Sequence, residues 1–135
     1  MKYNGIIERK LALLDDQVQK LRNYTKEVTY DLFEKNWAMR AASERAVQVA
    51  AEIIIDIAER IIAIEHAGPV GSAADAVEKL VTLGVLDSAE PYRSIVRFRN
   101  LIVHEYEQID PKILFDLVAR RLGDFLKFRD ELDRN

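Results

Sequence analysis

Fourteen consecutive residues of this chain gather side chains that can hold charge and move protons: Arg93-Ser94-Ile95-Val96-Arg97-Phe98-Arg99-Asn100-Leu101-Ile102-Val103-His104-Glu105-Tyr106. On a helix, at about 100° per residue, Arg93, Arg97, Asn100 and His104 fall within roughly 60° of one another. Ile95, Phe98 and Ile102 take the opposite side and are expected in a core. An imidazole is the side chain best suited to carry protons near neutral pH, and His66 and His104 are the only two histidines. Arg99 breaks the pattern. It falls between Ile95/Ile102 and Val96/Val103, inside the apolar side. A guanidinium left unpaired in an apolar contact costs several kcal/mol. Arg99 must therefore pair with an acid, such as Glu44, Asp56 or Glu59, or line a cleft between packed surfaces. On a straight helix Arg99 and His104 lie about 140° apart. They can serve one site only if the helix ends near His104, or if a second chain brings its own copies close. Blander roles stand beside these. His104 suits a helix C-terminus, Tyr106 a core edge, and Arg93 and Arg97 open solvent. His66, just before a break, reads as a helix cap.

The elements that must position these residues are all helical by pattern. Helix one is expected from about Asn4 to Tyr24, with Ile6, Ile7, Leu11, Leu14, Val18 and Leu21 recurring at spacings of three and four. Helix two is expected as one long rod from about Tyr30 to Ile64, since no Gly or Pro interrupts it. Its first half offers one apolar face, Phe33, Trp37 and Ala41. Its second half, Ala46 to Ile64, is apolar on several faces, so it belongs at a bundle centre or a subunit interface. Ser72-x-x-Asp75 resembles a capping box and opens helix three, which should stop near Gly84. Asp87 or Ser88 is expected to cap helix four, Tyr92 to about His104, with Pro91 as an entry proline. Asp110-Pro111 opens helix five, whose core face is Ile113, Leu114, Leu117, Leu122, Phe125 and Leu126. The sum is an all-α, antiparallel bundle of four to five helices with one long central helix, forming a single domain over 1–135.

Composition narrows the functions. The 135-residue chain has no cysteine, which removes disulfides, thiolate metal sites and a cysteine nucleophile. It has 20 Lys+Arg against 23 Asp+Glu, a net charge of −3. That speaks against a general polyanion binder. No apolar run approaches the roughly 20 residues that span a bilayer, and no secretion signal is recognisable. A cytoplasmic protein is expected, with no membrane partner.

The string Arg99-Asn100-Leu101-Ile102-Val103-His104-Glu105-Tyr106 resembles the R-x-x-x-x-H-x-Y motif of HEPN-domain proteins, whose arginine is typically followed by a polar residue. Over nearly its whole length the chain is similar to the HepT-type toxins of that family, which are paired with a minimal nucleotidyltransferase antitoxin. The resemblance takes in the Ala/Ile-rich run of helix two, Trp37 and the closing Asp110-Pro111 helix. It implies a HEPN-like bundle, a homodimer whose motifs face a shared cleft, and metal-independent endoribonuclease activity with no cofactor. Arg99 would stabilise the phosphate, His104 act as general acid/base, and Asn100 orient the site. Arg93 and Arg97 would extend a track for RNA, with no role toward DNA. Tyr106 would accept AMP from the antitoxin, blocking the cleft. Glu105 and Glu107 flank the motif with opposite charge. The competing expectation is a non-catalytic module that binds nucleotides or a nucleotidyltransferase, with Arg99 and His104 holding a phosphate. A helical dimer of purely structural use is a third, which the arginine on an apolar face disfavours.

Overall fold

The computed structural model describes residues 5–104 and 109–134. They form seven helices: α1 (Gly5–Thr25), α2 (Tyr30–Lys35), α3 (Trp37–Ile64), α4 (Ala73–Thr82), α5 (Tyr92–His104), α6 (Pro111–Arg120) and α7 (Leu122–Arg134). The all-α bundle and its long central helix are as expected. The helix number is larger because two of the expected rods are each divided.

The first division is at Asn36, which leaves helical geometry at φ −101°, ψ 93°. Its N–H donates to the Phe33 carbonyl at 3.2 Å, closing α2. Its side-chain oxygen accepts the Met39 N–H at 3.0 Å, opening α3. Asparagine competes for backbone partners in this way, which is why it favours caps over helix interiors. The short α2 turns Phe33 fully into the core, where it meets Phe115 of α6 at 5.3 Å. Trp37 does not share that face. It is 69% exposed, and Ala41 is exposed as well. The second division is at Arg121, at φ −118° and ψ 9°. Leu114, Leu117, Leu122 and Phe125 are buried across it as expected, but Ile113 is 51% exposed.

The apolar second half of α3 is the bundle centre. Ala50, Ala51, Ile54, Ile55, Ile57, Ala58, Ile61 and Ile62 are all buried, and α3 touches every other helix. Around it, α1 buries Ile7, Leu11, Leu14, Val18 and Leu21, whereas Ile6 faces outward. Ser72 accepts the Asp75 N–H at 3.1 Å, the first half of the anticipated capping box. Gly84 ends the α4 segment at φ +78°, a conformation that L side chains rarely adopt. Asp110 accepts the Lys112 N–H at 2.9 Å, with Pro111 in the first turn of α6.

The start of α5 departs from expectation. Neither Asp87 nor Ser88 caps it. The Asp87 carboxylate is taken by Arg134 through two bonds of 2.9 Å, and the Ser88 hydroxyl donates to the Glu90 carbonyl. Pro91 stands one residue before the helix rather than inside it. The connection instead supplies backbone acceptors: Arg93 N–H reaches Ala89 at 2.9 Å and Ile95 N–H reaches Pro91 at 3.1 Å.

Opposite outcomes follow for two large apolar side chains of α3. Ile57→Ala is expected to cost about 2–5 kcal/mol, because it opens a cavity at the bundle centre. Trp37→Ala should change stability by no more than about 0.5 kcal/mol. Urea denaturation followed by circular dichroism measures both without relying on the tryptophan.

Candidate functional site

The polar stripe of α5 is realised as a surface. Arg93, Arg97, Asn100 and His104 are all exposed, while Tyr92, Ile95, Val96 and Phe98 are buried behind them. Ile102, expected in the core, is half-buried. The described part of α5 runs to His104. Its last described turn, from Asn100 to His104, carries no acid. No acid lies between Arg93 and His104 either, so a negative net charge overall coexists with a locally basic helix.

Arg99 is half-buried, and its Nε is a buried donor with no hydrogen-bond partner among the described residues. None of the three acids considered for it makes an ion pair with it. Asp56 is taken by Lys10 at 2.7 Å and Arg60 at 3.1 Å. Burial works against its ionisation, but these two bonds outweigh it and hold its carboxyl below the usual range. Glu44 is half-buried, and burial pushes its carboxyl up. Glu59 is exposed. Arg99 therefore has no acid partner among Glu44, Asp56 and Glu59.

The other arginines differ from one another. Arg93 forms an ion pair with Glu78 of α4, so the first cation of the stripe is partly engaged in packing. Arg97 makes no ion pair among the described residues and borders a groove of 630 Å³ between α5 and α6–α7. Phe98 and Leu101 form one wall of that groove, and Ile113, Leu117 and Phe125 the other. Two of these are notably open to water, Leu101 at 39% and Ile113 at 51%. Sequence reasoning passed over this groove. The signal was available for half of it, since the helical wheel sets Leu101 between Arg97 and Phe98.

Tyr106, Glu105 and Glu107 lie outside the described residues. His66 stands apart from α5, just past the end of α3, in a left-handed conformation (φ 54°) with its N–H on the Ala63 carbonyl at 3.2 Å. The capping there is done by backbone: Ala67 N–H also returns to Ile62 at 3.0 Å. Among the described residues no three His, Asp or Glu side chains gather closely enough to hold a metal ion. No helix there is long and apolar enough to cross a membrane.

The described residues form the all-α bundle expected of a HEPN-like chain. The model of the family described as HepT-like, Ribonuclease HepT-like, matches residues 14–132, and the chain belongs to that family. Among characterised relatives it is 25% identical over 122 residues to a tRNA nuclease HepT of Aphanizomenon flos-aquae, covering 89% of this chain and 82% of that protein. It is 23% identical over 129 residues to an mRNA nuclease HepT of Shewanella oneidensis, covering 94% of this chain and 96% of that one. Its fold matches that of a tri-AMPylated Shewanella oneidensis HEPN toxin solved in complex with its MNT antitoxin. The TM-score is 0.89 at 22% identity, over 98% of this chain and 100% of that one.

The state of Arg99 has a measurable consequence. Replacing an unpartnered, half-buried guanidinium by a similar-sized apolar group removes an unmet polar demand. Arg99→Leu is therefore expected to keep or raise the melting temperature. A loss of about 3 kcal/mol or more would instead reveal a buried acid partner.

Proposed function

We propose that this chain is the toxin of a toxin–antitoxin pair, a metal-independent endoribonuclease of the cytoplasm that works as a homodimer. The observation that carries this reading is Arg99: a guanidinium fixed half inside the protein with a buried donor that no described group satisfies. Such a group suits an anion that arrives from outside, and a phosphodiester is the anion a planar donor fork fits best. The motif's family membership and the nuclease names of its relatives point the same way.

The chemistry needs few parts, because RNA carries its own nucleophile. In this mechanism an imidazole takes the proton of the ribose 2′-hydroxyl as its oxygen attacks phosphorus. The bond to the 5′-oxygen breaks, and that oxygen receives a proton as it leaves, giving a 2′,3′-cyclic phosphate and a 5′-hydroxyl. His104 is the proton carrier. Arg99 holds the phosphate as charge builds on its oxygens. Asn100, exposed one residue from Arg99, orients the reacting groups by hydrogen bonding. Arg97 extends the track for the RNA backbone, and Arg93 contributes to it from its ion pair with Glu78. Two copies would bring two such sets together. The open apolar side chains Leu101 and Ile113, on the groove beside the stripe, support a face that a second copy covers.

Control is assigned to Tyr106. A nucleotidyltransferase antitoxin would transfer AMP to its hydroxyl, placing a phosphate where the RNA phosphate must sit. The AMPylated state of the Shewanella toxin in complex with its MNT antitoxin supports this assignment.

The purified chain is expected to cleave RNA in the presence of EDTA. Arg99→Ala and His104→Ala should each lower the rate by about 10²-fold or more. Full activity in both variants would remove the assigned roles. An inactive wild-type chain that still binds a nucleotidyltransferase would favour the binding-module reading. Intact mass after co-expression with the antitoxin should show added AMP, lost in Tyr106→Phe. Ile113→Arg should shift the chain from dimer to monomer in light scattering and reduce cleavage with it.

A further inference from the structure

The first turn of α5 is the best-held part of that helix. Tyr92 is fully buried, sits edge-on to Phe128 at 5.5 Å, and donates its hydroxyl to the Glu131 carboxylate. Burial first, and then this bond, push the phenol far above its ordinary pKa, so it stays a donor. Glu131 is only 5% exposed. Its second oxygen accepts the Asp87 N–H at 2.9 Å. The Asp87 carboxylate is gripped in turn by Arg134, whose guanidinium also stands 3.9 Å from Glu131. The end of α7 thus holds both the connection that enters α5 and the first residue of α5.

Beyond Phe98 that hold fades. No residue from Arg99 to His104 is fully buried, and Leu101 and Val103 are exposed. Among the described residues α5 makes two polar ties to other helices, Tyr92 to Glu131 and Arg93 to Glu78, both in its first turn. The motif half of the helix is carried as an extension of the anchored half. The hydrophobic effect that buries Ile95, Val96 and Phe98 is itself non-directional. A hydrogen bond is directional and fixes rotation about the helix axis. A rotation of about 10° displaces a side-chain head some 6 Å from the axis by about 1 Å. A displacement of that size can cost about 10²-fold in rate.

We propose that Glu131 is a positioning residue for the α5 site: by holding Tyr92 and Asp87 it sets the rotation of α5, and with it the direction in which Arg99, Asn100 and His104 point. This rests on the ribonuclease reading of α5 given above. It assigns a role to a carboxylate that lies at the opposite end of the helix from the motif.

The test compares Tyr92→Phe and Glu131→Gln with Leu14→Ala. The last opens a cavity in α1, which packs on α3, α6 and α7 but not on α5. Two readouts are taken: single-turnover RNA cleavage with RNA Kd, and the imidazole proton resonances of the two histidines. The two clamp variants should cleave about 10- to 100-fold more slowly with Kd changed less than about twofold. The His104 resonances should shift while those of His66 stay in place. Leu14→Ala should lower the melting temperature at least as much yet move neither readout. Wild-type cleavage and unshifted His104 resonances in Tyr92→Phe and Glu131→Gln would overturn the proposal. If the wild-type chain does not cut RNA, the nuclease reading fails by itself, and the His104 resonances still decide for or against the clamp. If Glu131→Gln does not fold, Tyr92→Phe, which loses a single hydroxyl, decides alone.

Discussion

A guanidinium half withdrawn from water, with a buried Nε–H that no described group accepts, is the constraint around which the structure is arranged. A buried donor without a partner costs about 1–3 kcal/mol, and more when it is charged. A sequence selected for stability alone would not place Arg99 among Ile95, Val96 and Ile102. The cost must be offset elsewhere, and α3 is where the offset is concentrated. Eight of its residues between Ala50 and Ile62 are buried, and it alone touches all six other helices. The small alanines let neighbours approach closely, and the isoleucines fill the space between them. This rigid centre lets α5 keep one side chain in a poor environment without rotating it out to solvent.

The same division shows along α5. Its first seven residues are spent on attachment: Tyr92, Ile95, Val96 and Phe98 in the core, and Arg93 on Glu78. None of its last six described residues is buried, and Leu101, Val103 and His104 are exposed. A helix that anchors with one half and leaves the other open can hold Arg99 in place and still, on the reading proposed above, admit a polyanion. Arg93 belongs to both halves of this scheme. It lies on the charged stripe, yet its partner Glu78 makes it a strut between α4 and α5.

What the sequence disclosed and what it concealed separate along physical lines. Local signals read correctly: the Ile7-to-Leu21 stripe, the Ser72 cap, Gly84 at positive φ, Asp110-Pro111 at the start of α6, and the four-residue polar face of α5. Each is decided by residues within a turn or two of one another. The two divided rods were missed because apolar periodicity carries across a sharp break when both pieces pack on the same core. Asn36 does not stop the pattern; it caps one helix and starts the next. Trp37 was misplaced for the same reason, since its phase was counted from α2 although it belongs to α3. The Asp87 cap failed for a different reason. Asp87 is a good capping residue, but Arg134, 47 positions away, offers its carboxylate two charged donors. The bonds from Arg134 come first among the causes that hold the Asp87 carboxyl below its usual range. No local pattern announces a competitor that distant.

Net charge is the last quantity that the structure redistributes. A value of −3 over the chain argues against loose association with any polyanion. Part of the acid is tied up in ion pairs, while Glu90, Asp116 and Asp124 line the groove that Arg97 borders. Asp56 holds Lys10 and Arg60 on the α1–α3 side, Asp116 holds Arg120 and Arg121, and Asp87 and Glu131 lie around the anchored end of α5. Arg97 and Arg99 make no ion pairs among the described residues. Screening limits exposed charges to a range of about 8 Å at physiological salt, so the charges next to α5, not the total over the chain, decide what a group there meets. The acidic average and the basic helix therefore act over different ranges. On the ribonuclease reading proposed above, the acidic average discourages indiscriminate adsorption along the whole surface, and the basic helix rewards a single phosphate that reaches its motif half.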